Sequence, residues 1–321
     1  MNLSPRKIYE QYERKEINKS IAFDHLISFV ENSENEHIRQ EAIEILDRIG
    51  IYSDKLFGIL ENILISDSNG KIRNVALKFL ERRFLTESIT PLKWVINHEK
   101  DYECLITIIK SLKKVNSEES KLILFNETKK IMKTKYLNKE KRVENKKFKK
   151  VIKKLLKTKK YEFFTHNELS LILINFITIA NLTKHYPNVF YEINPENGLL
   201  SELDLSDYLE YEVKGTPFGW KNNIISISEI LGLKYLKNLK KIDLSNNQIE
   251  NIQELVSLGN LSHLILINNK ICELENLEYI KKLPNLKYLD LRNNKIVKKI
   301  HSNEFNPRLR VLLKDTNIKI K

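Results

Sequence analysis

A phrase of eleven residues occurs three times near the C-terminus, and no other feature constrains the fold so tightly. Leu239-Lys-Lys-Ile-Asp-Leu-Ser-Asn-Asn-Gln-Ile249 returns as Leu261-Ser-His-Leu-Ile-Leu-Ile-Asn-Asn-Lys-Ile271. It returns again as Leu286-Lys-Tyr-Leu-Asp-Leu-Arg-Asn-Asn-Lys-Ile296, at spacings of 22 and 25 residues. A unit of that length cannot bury its apolar face alone, so copies must stack. In L-x-x-L-x-L, alternation along a strand sends the leucines inward and the x positions to the opposite, concave face. Each buried leucine contributes about 1.5–3 kcal/mol. Asn247, Asn269, Asn294 and Asn317 fall where the chain leaves each strand. Their amides are expected to pair with backbone groups stacked repeat on repeat, a structural role.

Recognition is left to the x positions. Read in rows, they give Glu202, Lys241, His263, Tyr288 and Val311. The middle row is Asp204, Asp243, Ile265, Asp290 and Leu313, and the third is Ser206, Ser245, Ile267, Arg292 and Asp315. The polar members suit a solvated sheet. Ile265 and Ile267 do not, because alternation places both in water. With Tyr288, Val311 and Leu313 they form an apolar patch beside His263, rimmed by Asp243, Asp290 and Arg292. An apolar centre with a polar rim is the anatomy of a protein–protein site. The competing reading is that another part of the chain covers the patch: the C-terminal tail, or the segment 207–220. That segment reads as an insertion because Leu200 to Leu239 spans 39 residues. Trp220 is expected to anchor it by packing.

The strand pattern has a lead-in at Phe190-Tyr-Glu-Ile193 and Leu200-Ser-Glu-Leu203-Asp-Leu205, joined through Pro195 to Gly198. This reads as a β-hairpin whose second strand is the first leucine-rich strand. Such a hairpin would cap an edge that otherwise exposes unpaired backbone groups. At the other end Lys314 stands where a core leucine is expected, which suits a polar terminal repeat.

The N-terminal third carries a different repeat. Ile38-Arg39-Gln-Glu-Ala42-Ile-Glu-Ile-Leu46 aligns with Ile72-Arg73-Asn-Val-Ala76-Leu-Lys-Phe-Leu80 at a spacing of 34. Each follows a polar turn, and each turn follows an apolar helical stretch, Phe23 to Val30 and Leu56 to Ile65. A degenerate third copy runs from about Pro91 to Val115. Ile38, Ala42, Ile45, Leu46 and Ile49 share one helical face. Small Ala42 and Ala76 would let neighbouring helices approach, and Arg39 and Arg73 would bridge the turns of adjacent repeats. Unrelated helices in a bundle are the alternative.

The C-terminal phrases resemble the short leucine-rich repeats of about 22 residues, over about 199 to 317. The helical phrases resemble HEAT-like repeats, over about 20 to 115. Together these resemblances imply an α+β repeat protein: a HEAT-like α-solenoid followed by a leucine-rich repeat horseshoe. The division implied is residues 1–120 helical repeats, 121–185 a lysine-rich helical connector, and 186–321 the leucine-rich domain with its hairpin cap.

Charge is concentrated in the middle segment. The chain carries a net +13, yet residues 129–160 alone hold 16 Lys/Arg against 2 Glu, and the remainder has 39 basic and 40 acidic residues. Phe148, Val151, Ile152, Leu155 and Leu156 fall at i, i+3, i+4, i+7 and i+8, an apolar helical stripe. Lys146, Lys149, Lys150, Lys153, Lys154 and Lys157 fill the other faces. Like charges at i,i+4 cost about 0.2–0.5 kcal/mol per pair in an isolated helix. Either burial of the stripe offsets that cost, or an anionic partner such as nucleic acid neutralises the lysines.

Residues 166–184 form a further apolar helix. The apolar run Leu171 to Ala180 is broken by Asn175 and Thr178 and is too short to span a bilayer. No secretory h-region follows Met1, and Cys104 and Cys272 form no disulfide framework and no metal spacing. Both are expected as buried free thiols, in keeping with a cytoplasmic protein. No phosphate loop, dinucleotide fingerprint or zinc helix is found. His263 lies near Tyr288 and Asp243, but no nucleophile accompanies it. The reading is a non-enzymatic scaffold for protein partners, without cofactor. The alternative is nucleic-acid or anionic-surface binding through residues 129–160.

Overall fold

The computed structural model of the chain describes residues 3–207, 222–295, 299–300, 308–312 and 319–320. They fall into two compact units, 1–126 with 165–170, and 127–164 with 171–321. The insertion with Trp220, and Leu313, Lys314, Asp315 and Asn317, lie outside the described residues.

The first unit opens with helices α1 (Pro5–Glu13), α2 (Lys19–Asn32), α3 (Glu36–Ile49), α4 (Asp54–Ser66), α5 (Gly70–Arg83), α6 (Ile89–Val95) and α7 (Tyr102–Val115). Polar caps start them. Asn18, Asn35, Ser53, Asn69 and Asp101 each accept a backbone N–H of the following turn, which satisfies donors the helix itself leaves orphaned. Helix α2 packs on α3 and α4 on α5, and α5 lies against both α3 and α7. Ala42 and Ala76 are fully buried. The arginines behave as expected. Arg39 reaches from α3 to the Val30 carbonyl at 3.0 Å and pairs with Asp67 of the next turn. Arg73 holds Glu99 of the turn after that by two bonds of 2.8 and 2.6 Å, and donates to the Asp67 carbonyl at 2.7 Å.

Helix α8 (Glu118–Lys133) is followed by a two-strand hairpin, β1 (Tyr136–Asn138) and β2 (Val143–Glu144), then α9 (Lys146–Thr158) and α10 (His166–His185). The stripe on α9 is buried: Phe148, Val151, Ile152 and Leu155 lie in the core and Leu156 is half-buried.

The leucine-rich strands are β3 (Phe190–Ile193), β4 (Leu200–Asp204), β5 (Lys241–Asp243), β6 (His263–Ile265), β7 (Tyr288–Asp290) and β9 (Arg310–Leu312). Helix α11 (Glu275–Lys281) comes before β7, and β8 (Lys299–Ile300) pairs in parallel with β10 (Lys319–Ile320). The large sheet has the order β3-β4-β5-β6-β7-β9, antiparallel at β3/β4 and parallel thereafter. Gly198 turns the hairpin at φ +75°. A side chain there would start 3.0 Å from Leu155 and 3.3 Å from Ile172, so the turn lies directly on α9 and α10. Asn175 of α10 accepts the Leu200 N–H at 2.8 Å, and Phe148 packs on Phe176 and Tyr191. The hairpin therefore seals the array's first edge and is itself buttressed by the basic helix.

Leu239, Ile242, Leu244, Leu261, Leu264, Leu266, Leu286, Leu289 and Leu291 are buried, as the alternation demands. Each turn is closed by a buried asparagine acting in both directions. Asn269 Oδ1 accepts the Ile249 N–H at 3.0 Å, while its Nδ2 donates to the Leu244 and Leu266 carbonyls at 2.9 and 3.2 Å. Asn247 joins Ile224 to Leu205, and Asn294 joins Ile271 to Leu266. The first rung is Asn222, which accepts the Asn188 N–H at 3.1 Å and donates to the Asn188 and Leu205 carbonyls.

Two expectations are corrected. Cys104 is buried, but Cys272 is exposed, because it follows the last core position, Ile271, and turns outward. At the end of the sheet, Tyr288 stands opposite Arg310 and Asp290 opposite Leu312. Val311 therefore pairs with Leu289, not Tyr288. A slip of one residue exchanges the faces of a strand, and Arg310 and Leu312 take the places expected for Val311 and Leu313.

Candidate functional site

The exposed face of the large sheet is assembled from short strands of three to five residues whose register fixes its rows. Glu202, Lys241, His263 and Tyr288 are adjacent in turn, and so are Asp204, Asp243, Ile265 and Asp290. The expected rows are thus brought together over four strands. Glu202 and Lys241 form an ion pair at 3.7 Å, with both side chains exposed. His263 stacks on Tyr288 with ring centroids 5.7 Å apart, and its Nδ1 lies 2.9 Å from the Ser262 hydroxyl. A flat aromatic shelf results at the edge of the face.

The middle row is less solvated than alternation alone suggests. The Asp290 side chain is only 1% exposed. The Arg292 guanidinium covers it with bonds of 2.9 and 2.7 Å, and the Tyr288 hydroxyl donates to it at 3.3 Å. Burial, with the Asp290 carboxylate as a second cause, pushes the Tyr288 phenol above its ordinary range. Asp243 is half-buried, and its Oδ1 accepts the Ser245 N–H at 3.0 Å and the Ser245 hydroxyl at 2.6 Å. Burial raises the Asp243 carboxyl against the lowering effect of those bonds. Asp204 and Ser206 repeat the same turn. An Asp-x-Ser or Asp-x-Arg turn thus closes β4, β5 and β7. Its signal, an aspartate at one repeat position, is present in the sequence, but the buried role of Asp290 is not.

The third repeat breaks this turn. It has Ile265 in place of the aspartate and Ile267 in place of the serine, and both are half-buried. Ile265 lies between Asp243 and Asp290 in the row. The patch is chemically distinct from its neighbours: two aliphatic side chains, an aromatic shelf on one side, and a guanidinium held in place by its own carboxylate.

A second concavity, about 440 Å³, lies at the opposite ends of the same strands, among Asn238, Asn260, Asn285, Lys240 and Lys287. Asn260 and Asn285 donate to the Lys237 and Gly259 carbonyls of the preceding repeats at 2.8 and 2.7 Å. This amide row was not anticipated, although its Asn-Leu pairs recur at 238, 260 and 285.

The basic residues lie on α9. Lys146, Lys150, Lys153, Lys154 and Lys157 are exposed and Lys149 is half-buried. Lys146 pairs with Glu144 at 2.5 Å. Lys147, unlike the others, is tied into the hairpin through the Tyr191 carbonyl and Glu192, both at 2.6 Å. Among the described residues, no group of three or more His, Cys, Asp or Glu side chains could hold a metal ion, and no helix is long and apolar enough to cross a membrane.

No family model matches the sequence, and no curated protein matches it. Among solved structures, the chain is similar to an internalin C2 from Listeria monocytogenes at 24% identity and TM-score 0.23, over 31% of this chain and 38% of that one. It is similar to the Drosophila melanogaster SNF/U2A' complex at 24% identity and TM-score 0.26, over 42% and 68%. It is also similar to the LRR ectodomain of the receptor kinase SOBIR1 from Arabidopsis thaliana at 21% identity and TM-score 0.25, over 48% and 95%. The chain spans less than two-fifths of the internalin chains it matches. All of these are leucine-rich repeat proteins. The likenesses are local, and the assignment of such repeats to this chain rests on its own register and asparagine rungs.

Proposed function

We propose that the chain is a non-enzymatic scaffold that binds a protein partner on the exposed face of its leucine-rich sheet. In this reading, residues 1–120 form a HEAT-like solenoid arm, 121–185 a basic helical segment and 186–321 a leucine-rich horseshoe. The observation that carries it is the replacement of the Asp-x-Ser turn by Ile265 and Ile267. The repeats of β4, β5 and β7 stabilise this position with a polar turn, whereas the third repeat, at β6, places two aliphatic side chains there. Binding surfaces concentrate their energy in such water-excluding centres. The Tyr288–His263 shelf and the pinned Arg292 would form the rim. A fitting partner offers an apolar anchor flanked by a carboxylate for Arg292 and a cation for Asp243.

The test is affinity capture with chemical crosslinking at moderate salt in the presence of nuclease, comparing wild type with I265D/I267D. Loss of a hot spot should reduce capture of the specific partner by roughly 10-fold or more. Equal capture by a folded double variant would reject this face as the binding site.

A further inference from the structure

We infer that the solvent face of α9 binds the phosphate backbone of nucleic acid without reading its sequence. The helix carries a conflict of its own. Its N-terminal turn holds Lys146 and Lys147 and no acidic residue, although the helix dipole favours anions there. Its N-cap residue, Asn145, provides no side-chain cap: its Nδ2 donates to the Ile131 and Thr134 carbonyls, and its buried Oδ1 accepts no N–H. Like charges repeat at i,i+4 along its length. A helix that breaks several local rules at once is where function is expected.

The geometry gives the conflict a direction. At 100° per residue, Lys146, Lys150, Lys153 and Lys157 fall within an arc of about 60°. The arc is centred opposite the buried stripe of Phe148, Val151, Ile152 and Leu155. With a rise of about 1.5 Å per residue the row is about 16 Å long. Lys149 and Lys154 flank it. Among the described residues, Lys150, Lys153, Lys154 and Lys157 form no ion pair, while Glu144 pairs with Lys146 and lies in the field of Lys149. The stripe, the Gly198 turn and the Lys147 tether fix the helix, so the row is presented as a rigid line of charge.

The chemistry of the row selects the partner. Lysine is depleted at protein–protein interfaces, where charge must be desolvated, whereas point charges in series suit phosphates and bind by counterion release. A membrane-surface helix inserts its apolar face, and here that face is already buried in the protein's own core. The row holds lysines alone, compact point charges on flexible stems with no Arg, Asn or Gln to fix a bidentate geometry on base edges, so binding should be independent of sequence.

The experiment uses the full chain and fluorescence anisotropy with a mixed-sequence duplex DNA and a single-stranded RNA of similar length. The salt slope of log K for duplex should be about −3.6 for four phosphate contacts, a loss of roughly 100-fold between 50 and 200 mM salt. K146Q/K150Q/K153Q/K157Q should abolish that binding while leaving a folded protein, checked by circular dichroism. A control of equal charge loss elsewhere, K15Q/K78Q/K100Q/K113Q, should retain it. Equal losses in both variants would show diffuse charge and overturn the proposal. So would absence of binding at 50 mM salt, or binding to vesicles of anionic lipid with none to nucleic acid. The I265D/I267D variant should bind nucleic acid normally, so failure here is distinguishable from failure of the protein-binding face.

Discussion

The two units stack their repeats with polar side chains of opposite kinds. In the helical unit the stitch is ionic: Arg39 to Asp67, and Arg73 to Glu99. In the leucine-rich unit it is neutral: the buried amides of Asn222, Asn247, Asn269 and Asn294. The difference follows from what each turn leaves unsatisfied. Helices satisfy their own backbone except at their ends, so a helical repeat needs only a clamp between turns, and a charge-assisted pair suffices. A three-residue strand followed by a tight turn leaves N–H and C=O groups buried, which only a group that both donates and accepts can satisfy. The asparagine stitch is therefore indifferent to pH and salt, and the arginine stitch is not.

Asn269→Ala should break the neutral stitch hardest. It removes an acceptor for Ile249 and donors for Leu244 and Leu266 at a buried site, at about 3 kcal/mol or more. Urea unfolding read by hydrogen exchange should place that loss in residues 222–295, with the helical unit unchanged. Arg73→Met should cost about 2 kcal/mol, because Glu99, whose side chain is 2% exposed, loses its charged donor and keeps only the Lys100 and Asp101 N–H groups. A loss shared equally by the two units would erase the distinction between the stitches. Gly198→Ala should cost about 1–2 kcal/mol for a left-handed residue bearing a side chain, read as faster exchange at β3 and β4.

The smallest and most diagnostic effect is the sign of the pH response. Burial raises the Glu99 carboxyl, but the Arg73 bonds and the N–H groups of Asp101 and Lys100 outweigh it, and the net shift is downward. Its stabilisation is present above the unfolded carboxylate pKa of about 4.3 and is lost as pH falls through the lower folded value. Asp243 is shifted upward, so its ionised form opposes folding and protonation relieves that penalty as pH falls through the raised value. Between pH 6 and 3, exchange protection around α5–α7 should fall, while at β5 it should hold or rise. Asp243→Asn should remove the response at β5 alone. Parallel responses in both units would contradict the assignment of the stitches.

The sequence made the leucine-rich sheet legible because its constraints are local. Period-two leucines and a turn asparagine recur at fixed offsets, so register and core follow from counting. The arginine clamp was legible for the same reason, through its spacing of 34. What escaped was set across elements. The slip at β9 is set by the pairing of Tyr288 with Arg310, which the phrase itself does not encode. The burial of Asp290 depends on Arg292 folding back over it. The docking of Lys147 on the hairpin depends on a contact 45 residues away, which no periodicity encodes.

The asparagine rungs give the array a direction. Each rung reaches back to the repeat before it, accepting one N–H and donating to one carbonyl there, as Asn269 does with Ile249 and Leu244, and Asn222 begins the series on the backbone of Asn188. Any repeat inserted or removed between 222 and 295 would find the same donor and acceptor waiting at each cut end. The sheet face can therefore lengthen or shorten by whole strands, about 4.8 Å at a time, without redesign of its core. Copy number becomes a ruler for the width of whatever that face holds.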